Sequence, residues 1–272
     1  MPPSYSSAQK SALAEFTQVT QSDKNAASKL LKQHNWNVGA AINAFFSNAS
    51  NGAPNPVHAN ANKLFDKYRD DPKNDPDEIN IEGTSKMLGE MTIGVEDISA
   101  FIFSELVQSP ALGKITREGF VDGCLETSCD TLPKIRNVVI QRRSQLSADP
   151  DIFRNVYNHA FVLGLSNNQK SLSQDVAAEF WSLLFSSQGF AWRTRTSPWL
   201  EWWLEFQKEK WNKAVNKDLW RQTLTFAEQT MKDETLGFWT EESSWPSVID
   251  EFVEWVKTEK RGGGGDEAMD VA

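Results

Sequence analysis

Histidine and cysteine are nearly missing from this chain: three imidazoles (His34, His58, His159) and two thiols (Cys124, Cys129) serve 272 residues. So few sulfur and imidazole donors exclude a disulfide-stapled secreted scaffold. They also leave little for a closed zinc site, which needs about four ligands in C-x-x-C or H-x-x-x-H spacing. No apolar run approaches the roughly 18 residues of a membrane span, and no apolar stretch follows Met1 in the manner of a secretion signal. Pro2 stands where N-myristoylation needs glycine. Positive charge is in deficit as well, Lys+Arg 28 against Asp+Glu 37, a net −9. The chain therefore has no general attraction for nucleic acid or an anionic membrane surface, and a basic protein partner is expected. The expected location is intracellular and reducing, in the nucleus, the cytoplasm or both.

What is present folds. Apolar residues make up 39% and charged residues 24%, which excludes collagen-like and wholly disordered chains, and the length corresponds to about two domains. Over residues 8–48 three apolar patterns recur at helical spacing: Leu13 and Phe16; Ala27, Leu30 and Leu31; Val38, Ala41, Ile42, Phe45 and Phe46. They predict a compact three-helix module. Residues 49–61, with Pro54 and Pro56 among small polar residues, read as a flexible linker, and residues 261–272, opening on RGGGG, as a disordered tail.

Residues 62–258 read as helix after helix. Asp149-Pro150 places a capping carboxylate before a proline at the first helical position, and Phe153, Val156, Tyr157 and Phe161 follow on one face. Ser197-Pro198 repeats the device before Trp199, Ser171 with Gln174 fits a capping box, and Trp245-Pro246 opens a last amphipathic segment. Strand-type alternation is scarce, so the predicted fold is all-α.

A search for catalytic groupings returns little. There is no G-x-x-x-x-G-K-[ST], no G-x-G-x-x-G and no H-E-x-x-H. Cys124 and Cys129 flank LETS, which offers Glu126 instead of an activating base or cation, so buried free thiols are expected. The acidic stretch from Asp70 to Glu82 has the flavour of a helix–loop–helix calcium loop, but no register supplies all the ligand positions, Gly at 6 and Glu at 12. An EF-hand-like scaffold without metal is the expectation. Seven tryptophans between Trp181 and Trp220 predict an aromatic core with some members left over for an interface. From Asp233 to Val256 seven carboxylates occur with no Lys or Arg, a solvated face or an acidic docking patch.

Several blocks together resemble the defective-in-cullin-neddylation family: INIEG at 79–83, ITREGFVDG at 115–123, CDTLPKI at 129–135, FRNVYNHAF at 153–161, NQKSL at 168–172, NKDLW at 216–220 and ESSWPSVIDEFVEWV at 242–256. Residues 16–48 resemble the ubiquitin-associated (UBA) helix triplet that precedes this domain in fungal and some animal members. The resemblance implies a protein that promotes transfer of a ubiquitin-like modifier onto a cullin lysine. It would hold the cullin C-terminal domain and the conjugating enzyme together, with no catalytic residue, cofactor or metal of its own, and bind ubiquitin through the UBA module. It implies an all-helical domain with EF-hand-like helix pairs. The cullin-facing patch would comprise Asp218, Ser244, where the family usually has alanine, and Asp250. The acetylated N-terminus of the conjugating enzyme would enter a pocket of Ile81, Ala100, Phe103, Ser104, Val107, Ile115, Leu163, Phe180 and Leu183. Two alternatives come from other classes: an EF-hand-like calcium sensor, metal-free or weak, and a thioester-forming ligase using Cys124 or Cys129.

Overall fold

The computed structural model describes residues 6–20, 22, 24–34, 36–39, 41, 56–166 and 169–262. The chain divides into two compact units, residues 1–59 and 60–272. In the first, α1 (Ser7–Thr20) and α2 (Lys24–Gln33) follow the two leading apolar patterns. Ala12, Phe16, Ala27, Leu31 and Ala41 form its core, with Leu13, Leu30, Trp36 and Val38 packed around them. Val38, Gly39 and Ala41 are helical, and the rest of the expected third helix, through residue 48, lies outside the described residues.

The expected linker is shorter than its composition suggested. Residues 49–55 lie outside the described residues, and residues 56–61 already belong to α3 (Pro56–Asp66). Pro56 takes the first helical position, where its missing N–H is no loss, and Ala61 and Phe65 turn into the core.

The second unit is built from helix–loop–helix pairs, each pair closed by a two-residue antiparallel bridge. In the first, α3 and α4 (Ile81–Glu90) flank β1 (Glu78–Ile79), while α5 (Ile98–Leu106) and α6 (Arg117–Glu126) flank β2 (Ile115–Thr116); Ile79 pairs with Ile115. After α7 (Leu132–Gln145) the pattern recurs. There α8 (Pro150–Leu163) and α9 (Gln174–Leu184) flank β3 (Ser171–Leu172), and α10 (Trp199–Phe206) and α11 (Lys217–Lys232) flank β4 (Val215–Asn216). The last helix, α12 (Ser247–Trp255), ends in a π-helical turn over Val256–Lys260, as α10 does over Gln207–Trp211. This is the EF-hand-like all-α architecture expected.

Side-chain caps set several helix starts. Asp149 accepts from the N–H groups of Asp151 and Ile152, as its sequence position implied, and Asn216 accepts from Leu219. Two starts differ from expectation. Ser173, not Ser171, caps α9, because Ser171 is held in the β3 bridge. Ser197 does not cap α10 either; it is buried and its hydroxyl accepts from Arg261 Nη2 at 3.1 Å. Arg261 also donates to the Glu234 carbonyl at 2.6 Å, so it belongs to the folded unit rather than to the tail. Residues 263–272 lie outside the described residues.

The core of the second half is aromatic. Trp181, Trp192, Trp199, Trp203 and Trp220 are fully buried, whereas Trp202 and Trp211 keep partial exposure. Tyr157 stacks on Trp220 with centroids 4.6 Å apart, and Trp220 stacks on Trp181 at 5.4 Å. Phe252 of α12 meets Trp203 edge-on at 5.0 Å, which docks the last helix on α10.

Candidate functional site: a candidate protein-binding surface

The groups that would carry chemistry are committed to structure. Cys124 is 2% exposed, and burial pushes its thiol up to about 12. Cys129 is buried and its Sγ donates to the Thr127 carbonyl at 3.3 Å. A closed-off thiol held protonated at neutral pH is not available as a nucleophile, which removes Cys124 from the thioester alternative. His159 is half-buried against the carbonyls of Ser109 and Ser104; burial holds its pKa below the ordinary value, and those carbonyls only partly oppose the shift.

The calcium-like loop between α3 and α4 is filled from within. Arg117, the first residue of α6, donates through Nε to Asp77 at 2.6 Å, through Nη1 to Asn62 at 3.0 Å and through Nη2 to Asp66 and the Pro76 carbonyl, both at 2.8 Å. Asp70 accepts from the backbone N–H groups of Asn80 at 2.7 Å and Gly83 at 2.9 Å. A side chain at Gly83 would press within 1.9 Å of the Tyr68 carbonyl, so glycine is required for this closure. The loop oxygens thus face a guanidinium and amides. Among the described residues no group of three or more His, Cys, Asp or Glu side chains is arranged to hold a metal ion.

The predicted cullin-facing residues lie on two elements and the loop between them. Asp218 is exposed in the first turn of α11, where the helix dipole favours its charge, and Ser244 is exposed on the loop leading to α12. Asp250 is half-buried in the first turn of α12 and its Oδ1 accepts the indole N–H of Trp239 at 2.8 Å. No hydrogen bond or ion pair joins Asp218, Ser244 and Asp250 to one another among the described residues. The acidic run around them is divided. Asp233 is turned onto Thr235, Glu234 accepts from Thr194 and Thr196, and Glu254 pairs with Lys257 at 3.0 Å. Glu241, Glu242 and Glu251 stay exposed.

The predicted pocket residues fall into two sets. Phe103, Val107, Ile115 and Leu163 are at most 2% exposed, and Ala100 and Phe180 are also buried. As placed here they are core, Phe180 meeting Phe101 edge-on at 4.8 Å. Helical spacing alone does not separate a pocket floor from a core. Ser104 and Leu183 are half-buried, and Ile81 is 69% exposed. Beside Ile81 runs the loop of Leu112 and Gly113. Leu112 is 53% exposed with its N–H on the Leu163 carbonyl, and Gly113, at φ +72°, lies so close that a Cβ there would sit 3.1 Å from the Ile81 side chain. This loop brings β2, α4 and the end of α8 to one apolar exposed surface. Leu112 was not anticipated from sequence, because a lone leucine in a turn carries no periodic signal. Elsewhere, Phe153, Phe190 and Met231 line an apolar groove of about 380 Å³ that contains none of the predicted residues.

The described fold is a small helical unit followed by a larger body of paired helix–loop–helix motifs. Residues 134–255 match the family model described as cullin binding, and residues 10–52 match the UBA-like domain model. The chain is 34% identical over 261 residues to Defective in cullin neddylation protein 1 of Pyricularia oryzae, covering 92% of this chain and 93% of that protein. Proteins of the same name from Cryptococcus neoformans and Saccharomyces cerevisiae are 32% and 25% identical, covering 92% and 93% of this chain and 94% and 96% of theirs. This chain belongs to the defective-in-cullin-neddylation family.

Proposed function

We propose that the protein promotes transfer of a ubiquitin-like modifier from its conjugating enzyme to a cullin lysine by holding both partners, with no catalytic residue of its own. The observation that carries this reading is the cullin-binding match over residues 134–255, which includes Asp218, Ser244 and Asp250. Exposed Asp218, with Glu241, Glu242 and Glu251 nearby in sequence to Asp250, suits a lysine- or arginine-bearing surface of the cullin C-terminal domain. The acetylated N-terminus of the conjugating enzyme is assigned to the apolar surface at Ile81 and Leu112. Acetylation removes a charge whose burial there would have no partner.

Holding both partners on one body raises their effective concentration and orients the thioester toward the acceptor amine, which is a rate effect that needs no acid, base or nucleophile from the holder. The UBA-like unit is assigned to ubiquitin or a similar modifier. The two free buried cysteines suit a reducing compartment, and the proposal locates the protein in the nucleus, the cytoplasm or both. The test is reconstituted modifier transfer to a cullin C-terminal fragment with and without the protein. Acceleration by the parent chain, undiminished by Cys124→Ser with Cys129→Ser, is expected. Asp218→Lys should weaken cullin binding about tenfold and slow transfer. A cullin titration identical for Asp218→Lys, Asp250→Lys and the parent would remove these residues from the mechanism.

A further inference from the structure

Trp239 lies on the loop between α11 and α12 and is 9% exposed, so a large ring is packed where the acidic run would suggest a solvated surface. Its indole N–H donates to Asp250 Oδ1 at 2.8 Å, and the ammonium of Lys257 lies 4.0 Å from its ring centroid. Asp250 and Lys257 are seven residues apart, two turns along one face of the last helix and its π-helical end. The ring is thus laid along that face, hydrogen-bonded near one end and covered by a cation at the other. Glu254, one turn before Lys257, holds that ammonium at 3.0 Å.

The loop behind the ring is fixed independently. Buried Leu236 adopts φ +66°, and the Trp239 N–H donates to the Leu236 carbonyl at 3.0 Å. Beyond the ring, the Thr240 N–H donates to Ser243 Oγ at 3.1 Å and the Ser243 N–H returns to the Thr240 carbonyl at 3.0 Å. Ser244 follows directly. One side chain therefore ties the loop that carries Ser244 to the helix that carries Asp250.

We infer that Trp239 is a positioning residue of the cullin-facing surface: its indole N–H fixes one carboxylate oxygen of Asp250 and leaves the other free to accept from a cation of the partner. This rests on the assignment of Asp250 to cullin binding made above. A carboxylate already held in one orientation loses less rotational freedom on binding than a free surface aspartate, which is the general source of affinity in a preorganised site. Of the seven carboxylates in the acidic run, Glu234 is taken up by Thr194 and Thr196 and Glu254 by Lys257, whereas Asp250 has one oxygen held by the buried indole of Trp239.

The test titrates a cullin C-terminal fragment against the full chain as parent, Trp239→Phe and Asp250→Lys. Trp239→Phe keeps an aromatic ring beneath Lys257 and removes the N–H. It should weaken cullin binding about three- to tenfold and leave affinity for the acetylated peptide of the conjugating enzyme unchanged. In the unmodified chain the assigned ¹H–¹⁵N cross-peak of the Trp239 indole should shift when the cullin fragment is added, a response that a purely structural tryptophan would not give. This arm needs no substitution, so it decides the matter even where Trp239→Phe loses stability. If Asp250→Lys binds like the parent, the assignment of Asp250 falls and the inference with it. If Asp250→Lys loses binding while Trp239→Phe binds like the parent, or the indole peak stays in place, the positioning role alone is overturned.

Discussion

Removing the Tyr157 hydroxyl tests whether the aromatic core is held by polar bonds or by packing alone. Tyr157 is fully buried; its hydroxyl donates to the Trp220 carbonyl at 2.7 Å and accepts the Trp181 indole N–H at 3.0 Å. Tyr157→Phe keeps the ring on Trp220. It leaves the Trp181 N–H without an acceptor, a loss of about 1–3 kcal/mol for a buried donor, and removes one further hydrogen bond of about 1 kcal/mol. The Trp220 carbonyl keeps its bond inside α11, and burial of the hydroxyl itself no longer has to be offset, so the net loss is about 2–3 kcal/mol. In a unit of this size that lowers Tm by about 4–12 °C.

Ten of the 11 tryptophans belong to the second unit, so urea unfolding followed by tryptophan fluorescence reads that unit selectively. Burial also holds the Tyr157 phenol protonated well above its ordinary value. The unfolded chain releases that proton first, near pH ~10, so the parent loses stability as pH rises further, at up to about 1.4 kcal/mol per pH unit. The phenylalanine variant lacks this slope, and the gap between the two should narrow above pH ~10. A variant within about 0.5 kcal/mol of the parent at neutral pH would refute the reasoning.

Gln207 is wholly buried in the π-helical turn after α10, with neither amide atom hydrogen-bonded among the described residues. Gln207→Met should raise stability by about 1–2 kcal/mol in the same urea assay, and a loss would show that the amide has a partner in solution. Arg117→Ala should cost about 1–2 kcal/mol, chiefly through lost packing on Phe65, 4.6 Å from the guanidinium, and the lost bond to Pro76, since Asp66 and Asp77 are well exposed. With Arg117 in place, millimolar calcium should leave tryptophan fluorescence unchanged; a saturable change would restore the sensor alternative. Deleting residues 1–55, which leaves α3 whole, should leave both the urea midpoint of the second unit and transfer to an isolated cullin fragment unaltered. Loss of transfer by a folded truncation would assign the UBA-like unit a direct part.

The sequence alone determined the helical class, the two units and some helix starts, because these follow from local physics. A 3.6-residue apolar period marks a buried face, and Asp149 or Asn216 caps a helix through contacts two or three residues away. Local signals failed where a distant partner claimed the residue. Ser171 was taken by its bridge to Asn216, Ser197 by Arg261, and residues 56–61 by the helix whose Ala61 and Phe65 are buried.

The candidate surfaces are where tertiary structure decided most. Ile81 and Phe103 carry the same apolar signal in sequence, yet one is 69% exposed and the other 1%, because exposure depends on which helices close over a face and not on spacing along it. The seven carboxylates of the acidic run are equivalent by composition. Only the folded chain turns Glu234 onto Thr196, pairs Glu254 with Lys257 and directs Asp250 through the indole of Trp239, since the partners met on folding select among groups that the sequence presents as alike.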